Sequence, residues 1–174
     1  MENEKQLIIG IGDAGNNSIV RLRKIRLDGF GFLAINHDAK FMTGMGRVKK
    51  LLVKKADTFS KTEILYLKKE FDRVAKVVIL VGLGGRTGSA LTPKAIRIVH
   101  KCGINVLAIL TYPFPLEKSR VPKADLAISK IKKTGCEVIL RKNGDLVGKY
   151  PDVPMTTAFR LMDEELGAVL RSRV

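Results

Sequence analysis

The sequence predicts an α/β protein built on a mainly parallel sheet with helices on both faces. Three observations predict it. Short apolar runs alternate with longer amphipathic stretches along all 174 residues, the pattern of strands joined by crossover helices. The runs Leu7–Ile9, Val77–Val81 and Val106–Leu110 are apolar throughout rather than alternating, as strands covered on both faces are. The glycine- and proline-rich motifs all fall where a strand hands over to a helix or loop, at one edge of the sheet, where open α/β sheets bind ligands.

Taken in order, Lys5 to Gly12 reads as a buried strand running into Gly10-Ile11-Gly12-Asp13-Ala14-Gly15, and Asn16 to Leu27 has helical spacing. This is a GxGxxG turn after a strand, which makes the domain Rossmann-like. Gly31 to Asn36 is the next strand and ends at Asn36-His37-Asp38, about where such folds place an acid for a ribose. Residues 39–58 form a basic connection with a short edge strand near Leu51-Leu52-Val53. Thr62 to Val74 reads as an amphipathic helix with Ile64, Leu65, Leu67 and Phe71 on its apolar side.

Lys76 to Val81 is a strand that enters Gly82-Leu83-Gly84-Gly85-Arg86-Thr87-Gly88-Ser89, followed by a helix over Lys94 to Lys101 with Pro93 in its first turn. A strand that turns through glycines into a helix aims backbone N–H groups and the positive helix end at an anion, most often a phosphate. Asn105 to Thr111 is a further buried strand, stopped by Tyr112-Pro113-Phe114-Pro115. Ser119 to Lys133 reads as a basic helix, Cys136 to Leu140 as a strand, Arg141 to Pro154 as a polar loop and Thr156 to Leu170 as the last helix.

Composition bounds the function. The hydrophobic fraction is 45%, no apolar run reaches a membrane-spanning length, and Met1–Lys5 lacks the form of a signal peptide, so a cytoplasmic globular protein is expected. Cys102 and Cys136 have no metal-ligand company and are expected to be two buried thiols. His37 and His100 stand alone in the sequence and are expected to be structural or solvent-facing. Lysine and arginine outnumber the acids by 32 to 17, a formal charge of +15, so the surface should attract phosphates, nucleic acid or anionic lipid. The basic residues concentrate between Asp38 and Asp57, from Lys118 to Lys149, and at Arg171-Ser172-Arg173.

Two phosphate cradles in one domain suggest a nucleotide gripped from two sides. Here the chain resembles the tubulin/FtsZ family of GTP-binding cytoskeletal proteins, FtsZ more closely than tubulin. Gly84-Gly85-Arg86-Thr87-Gly88-Ser89-Ala90 is similar to the family's GGGTGSG signature, and Gly10 to Asn17 to its GxGGGGxN element. Asn36-His37-Asp38-Ala39 resembles its NTDA, and Thr111-Tyr112-Pro113-Phe114 its TKPF. The resemblance implies a fold of the GTPase-domain type, with GTP or GDP, with or without Mg, as the ligand.

Position by position, the resemblance implies that the first loop (Gly12, Asp13, Ala14, Gly15) and the second (Gly84, Gly85, Arg86, Gly88) hold the phosphates, with Thr87 and Ser89 as hydroxyl donors. Glu117 would take a ribose hydroxyl with Arg120 nearby, and Asn17 and Asn143 would flank the guanine. Asp163 or Glu164 would read the base edge. Helical spacing favours Asp163, which shares a face with Phe159, Met162, Leu166 and Leu170; on the core side its carboxylate needs donors, guanine N–H groups or a neighbouring lysine or arginine, the alternative being that it stands exposed at the edge of the stripe.

The chain departs from the family pattern at Arg86, Ala90 and Asp13, and Leu52–Asp57 lacks the Gly-Ala-Gly loop that senses the γ-phosphate. Arg86 could grip a phosphate or, where φ must be positive, force the loop into another shape. The resemblance further implies that residues 1–174 are a single nucleotide-binding domain without the family's second domain and its acidic loop, hence at most a weak GTPase, with no catalytic residue or metal site of its own. Such a protein would self-associate or dock on a full-length FtsZ-like partner. Two other readings of the residues are a nucleotide-free scaffold whose basic surface meets anionic membrane or nucleic acid, and an NAD-type oxidoreductase resting on Gly10–Gly15 and Asp38.

Overall fold

The computed structural model of the chain describes residues 5–25 and 27–172. Met1–Glu4, in the segment compared with a signal peptide, and Arg173 of the basic C-terminal run lie outside the described residues.

Six parallel strands form one sheet: β1 (Lys5–Ile11), β2 (Phe30–Asn36), β3 (Lys49–Leu52), β4 (Val74–Gly82), β5 (Asn105–Tyr112) and β6 (Glu137–Lys142), in the order β3-β2-β1-β4-β5-β6. β1 and β4 are the central pair, with Ile8 beside Val78 and Ile9 beside Ile79. Strand order runs one way from β1 through β2 to β3 and the other way from β4 to β6, so a crevice opens between the carboxyl ends of β1 and β4.

Successive residues of the buried strands feed two separate cores. Ile9, Ile79 and Val81 face α2 (Lys61–Glu70), α3 (Arg86–Lys101) and α4 (Val121–Lys132) through Leu67, Leu91, Ile96 and Ile131. Ile8, Val78 and Leu80 face α1 (Gly12–Leu22) and α6 (Met155–Arg171) through Ile19, Leu22, Leu166 and Leu170. A small third cluster joins Leu146 of α5 (Asn143–Lys149) to Ala158 and Met162 of α6.

The expected elements are present with instructive differences. α1 starts at Gly12, not Asn16, and its first turn lies directly on β4: a Cβ at Gly15 would sit 2.2 Å from the Leu80 carbonyl oxygen. α3 starts at Arg86, so Pro93 stands in the helix body and removes the amide that would bond the Ser89 carbonyl. The small residues of that first turn concealed its helical period, and packing demands them, since a Cβ at Gly88 would lie 2.7 Å from the Gly82 carbonyl oxygen.

Leu65, expected on the apolar side of α2, is 59% exposed, and Val74, expected to end α2, opens β4 after Arg73 turns the chain at φ 57°. The polar loop expected after Leu140 is instead the end of β6 followed by α5, whose single buried apolar anchor is Leu146. The thiols are not both buried: Cys102 is exposed, because it follows the last turn of α3 at the surface, and Cys136 is half-buried.

Candidate functional site

The carboxyl ends of the strands surround a cavity of about 570 Å³. From the first glycine turn it is lined by Gly12, Asp13, Ala14, Gly15 and Asn17, and from the second by Gly85, Arg86, Thr87 and Gly88. Glu117 and Arg120 line it beyond β5, and Asn143 beyond β6. Twelve sequence-predicted residues thus converge on one space. Gly84, Ser89 and Asp163 do not line it.

The two glycine turns fit each other closely. Gly12 takes φ +73°, and a Cβ there would lie 3.3 Å from the Gly88 backbone nitrogen. Gly84 takes φ +87°, and a Cβ would meet Arg120 Cβ at 2.5 Å, so glycine is required there by both conformation and space. Its amide donates to Ser89 Oγ at 2.8 Å, so this pair braces the turn from within instead of facing the cavity. Arg86, by contrast, has no positive φ; it is the first residue of α3, and its side chain causes no distortion of the loop.

Arg86 is held by His37, which thereby takes the structural role expected of it. Its Nη2 lies 2.7 Å from His37 Nε2, and Thr87 Oγ1 lies 2.8 Å from His37 Nδ1. A guanidinium only donates, so Nε2 must accept and the ring proton belongs on Nδ1, donated to Thr87. His37 therefore ties the end of β2 to the first turn of α3. No local signal marks this pairing, because the partners are 49 and 50 residues apart.

The acids of the site are engaged. Asp13 Oδ1 accepts from Asn36 Nδ2 at 2.8 Å. Glu117 accepts from the Phe114 amide at 2.8 Å and pairs with Arg120 at 2.9 Å. Asp38, the acid considered for a dinucleotide ribose, accepts from the Lys40 amide and caps a short 3-10 helix, Ala39–Met42. Arg21, Arg86, Arg120 and Arg141 line the cavity against Asp13 and Glu117, which leaves it a net attraction for anions.

Asp163 is fully buried and closely paired. Arg21 Nε donates to Oδ2 at 2.6 Å, while Ser18 Oγ and Arg141 Nη1 approach Oδ1 at 3.3 and 3.5 Å. Burial pushes the pKa of Arg141 down from its ordinary value, and the Asp163 carboxylate opposes that shift. Of the two kinds of partner open to Asp163, arginine occupies the place, and Glu164 pairs with Arg160 on the outer side of α6. Arg21 and Phe159 both line the cavity, with the Arg21 guanidinium 6.0 Å from the Phe159 ring centroid and Phe114 edge-on to that ring.

Asn143 carries a buried Oδ1 with no hydrogen-bond partner. A buried acceptor in that state is costly unless a ligand or water satisfies it. None of residues 52–57 lines the cavity. Among the described residues no group of three or more histidine, cysteine, aspartate or glutamate side chains is placed to hold a metal.

The sequence profile of the Tubulin/FtsZ family, GTPase domain, matches residues 46–151. Cell division protein FtsZ 2 of Methanocaldococcus jannaschii is 28% identical over 95% of this chain and 47% of its own length. Cell division protein FtsZ 1 of Thermococcus kodakarensis is 28% identical over 93% of this chain and 48% of its own. The chain thus spans about half the length of the curated relatives it matches. Among solved structures, an empty FtsZ dimer of M. jannaschii superposes with a TM-score of 0.84 at 28% identity, over 97% of this chain and 53% of that one. CetZ from Methanosaeta thermophila superposes at 0.80 with 17% identity, over 95% and 52%, a likeness of fold alone.

Proposed function

The chain belongs to the tubulin/FtsZ family, and from that premise we propose that its cavity binds GTP or GDP and that the protein works by assembly rather than by turnover. The observation that carries the proposal is the convergence of two glycine turns, on adjacent strands, upon one arginine-lined cavity. The N-termini of α1 and α3 lie at those turns, so amides of Gly12, Gly15, Gly85 and Gly88 suit the phosphates. Arg86, pre-positioned by His37, adds a charged donor, and Thr87 a hydroxyl.

The base belongs at the other end of the cavity, among Asn17, Arg21, Asn143 and Phe159. The unpartnered Oδ1 of Asn143 suits a ring N–H or amino donor. Asp163 reads the base edge through Oδ1, whose present contacts are long, once Arg141 gives way. Glu117 and Arg120 serve the ribose. Mg, where present, would sit with the phosphates and neutralise their charge.

Hydrolysis is slow on this reading, because both Glu117 oxygens are held by protein donors and Asp13 is tied through Oδ1 to Asn36, which limits their use in positioning water. Assembly proceeds by self-association or by docking on a full-length FtsZ-like protein, in the cytoplasm and in the service of cell division.

Isothermal titration with GTP, GDP and ATP tests the pocket. GTP and GDP should bind and ATP should not, and Arg86→Gly should weaken binding by about tenfold or more, the worth of a charged hydrogen bond. Silence towards all three nucleotides, or equal heats for ATP, would reject the reading. Sedimentation with a full-length FtsZ, with and without GTP, tests docking.

A further inference from the structure

Charge is divided unequally between the two helical layers. On α2, α3 and α4, which cover one sheet face, Lys61, Lys68, Lys69, Lys94, Arg97, Lys101, Lys123, Lys130 and Lys132 are all exposed. The acids on these helices are all engaged elsewhere. Glu63 is buried against the Ser60 and Lys54 amides, Glu70 pairs with Lys49, and Asp125 accepts from Tyr112. On the opposite face, α1 and α6 carry Arg21, Arg160 and Arg171 against Asp13, Asp163, Glu164 and Glu165.

The basic layer also presents apolar side chains in a repeated setting. Leu65 of α2 is 59% exposed, and Lys61, Lys68 and Lys69 stand at i−4, i+3 and i+4 from it. Leu126 of α4 is 57% exposed, with Lys123 at i−3 and Lys130 at i+4. Neighbours at these spacings share one helix face, so each leucine emerges from among lysines. Between them α3 shows a purely cationic stripe, Lys94, Arg97 and Lys101.

We propose that the outer face of α2, α3 and α4 docks on an anionic lipid surface, with the lysines and arginines against headgroups and Leu65 and Leu126 seated at the acyl boundary. Lipid fits better than nucleic acid because the protruding groups between the cations are aliphatic. A single-stranded nucleic acid is gripped on aromatic platforms, and a duplex admits a leucine only at the cost of unstacking a base step, whereas a lipid surface takes it in without that cost. The lysine stems can lie along the leucines while their ammonium groups reach the phosphates. No described helix is long and apolar enough to cross a membrane, so the contact is peripheral. The nucleotide cavity lies at the carboxyl edge of the sheet, and docking through this helical layer does not depend on its occupancy.

The test is co-sedimentation at 150 mM salt with three probes: phosphatidylcholine vesicles, vesicles containing 30% phosphatidylglycerol, and a 30-base-pair duplex. Wild type should partition onto the anionic vesicles at least tenfold better than onto neutral ones. Leu65→Ser/Leu126→Ser, which keeps every charge, should lose at least tenfold of that partition and leave any duplex binding unchanged. Lys68→Glu/Arg97→Glu/Lys130→Glu should abolish vesicle binding, and unchanged thermal midpoints would show that these exposed substitutions leave the fold intact. Equal partition onto both vesicle types, an undiminished Leu→Ser variant, or binding confined to the duplex would each overturn the proposal.

Discussion

Asp163 offers the sharpest perturbation of the folded molecule. Its carboxylate is 0% exposed and anchors Arg21 at 2.6 Å, with Ser18 and Arg141 at 3.3 and 3.5 Å. Asp163→Leu keeps a side chain of comparable bulk on α6 but leaves two inward-facing guanidinium groups without a counter-ion. Breaking a buried pair from one side costs about 3–5 kcal/mol, which for a domain of this size lowers Tm by roughly 6–20 °C.

Arg141→Met should cost much less, about 1 kcal/mol, because Asp163 keeps its short bond to Arg21 and a partly desolvated cation is removed. The double variant should be more stable than the sum of the single losses implies, with a coupling of about 1–3 kcal/mol. Urea unfolding of all four proteins measures the cycle. A loss below about 1 kcal/mol for Asp163→Leu, or additivity within about 0.5 kcal/mol, would show that the carboxylate is not the electrostatic anchor of α6.

Two further predictions use single groups. Gly84→Ala places a Cβ 2.5 Å from Arg120 Cβ in a backbone at φ +87°, so the second glycine turn must move. Nucleotide binding by titration should be lost while the far-UV circular dichroism of the α/β fold persists, and tight binding by the variant would contradict this geometry. Glu63 accepts from the Ser60 and Lys54 amides; burial raises its pKa, the hydrogen bonds outweigh burial, and the net shift is downward. A depressed folded pKa stabilises above the unfolded value near 4.5 and is lost as pH falls through the lower folded value. Glu63→Gln should therefore cost about 1–2 kcal/mol at neutral pH, and its deficit should shrink in acid. A deficit that persists unchanged at low pH would exclude the charge as its source.

The centre of the sheet was legible in the sequence because β1, β4 and β5 carry apolar runs that are buried on both faces. Helix starts were less legible for a physical reason. The first turns of α1 and α3 press against neighbouring backbone, and the glycine, serine and threonine residues that allow this approach carry no apolar period. α5 escaped notice because one buried leucine fixes it. Asp163 was correctly placed on the inner side of α6 by spacing alone, but nothing in the sequence singled out Arg21 or Arg141 as its partners, 142 and 22 residues away. His37 plays the structural part its sequence implies, but its partner Arg86 is not legible there, because the two meet only after β1, β2 and β4 assemble.

The position of β1 at the centre of the sheet has a consequence for the order in which the chain can fold. Ile8 pairs with Phe32 on one side and with Val78 on the other. As the chain leaves the ribosome, β1 and β2 can associate early, whereas the second flank of β1 stays open until β4 has emerged. During that interval Leu7-Ile8-Ile9 presents unpaired amides and carbonyls along an apolar edge, which is a template for pairing with another chain. Parallel pairing between such distant segments is also intrinsically slow. The strand that makes the mature sheet continuous is therefore the segment at which synthesis is most exposed to misassociation, and a pause before residue 82 would lengthen that exposure.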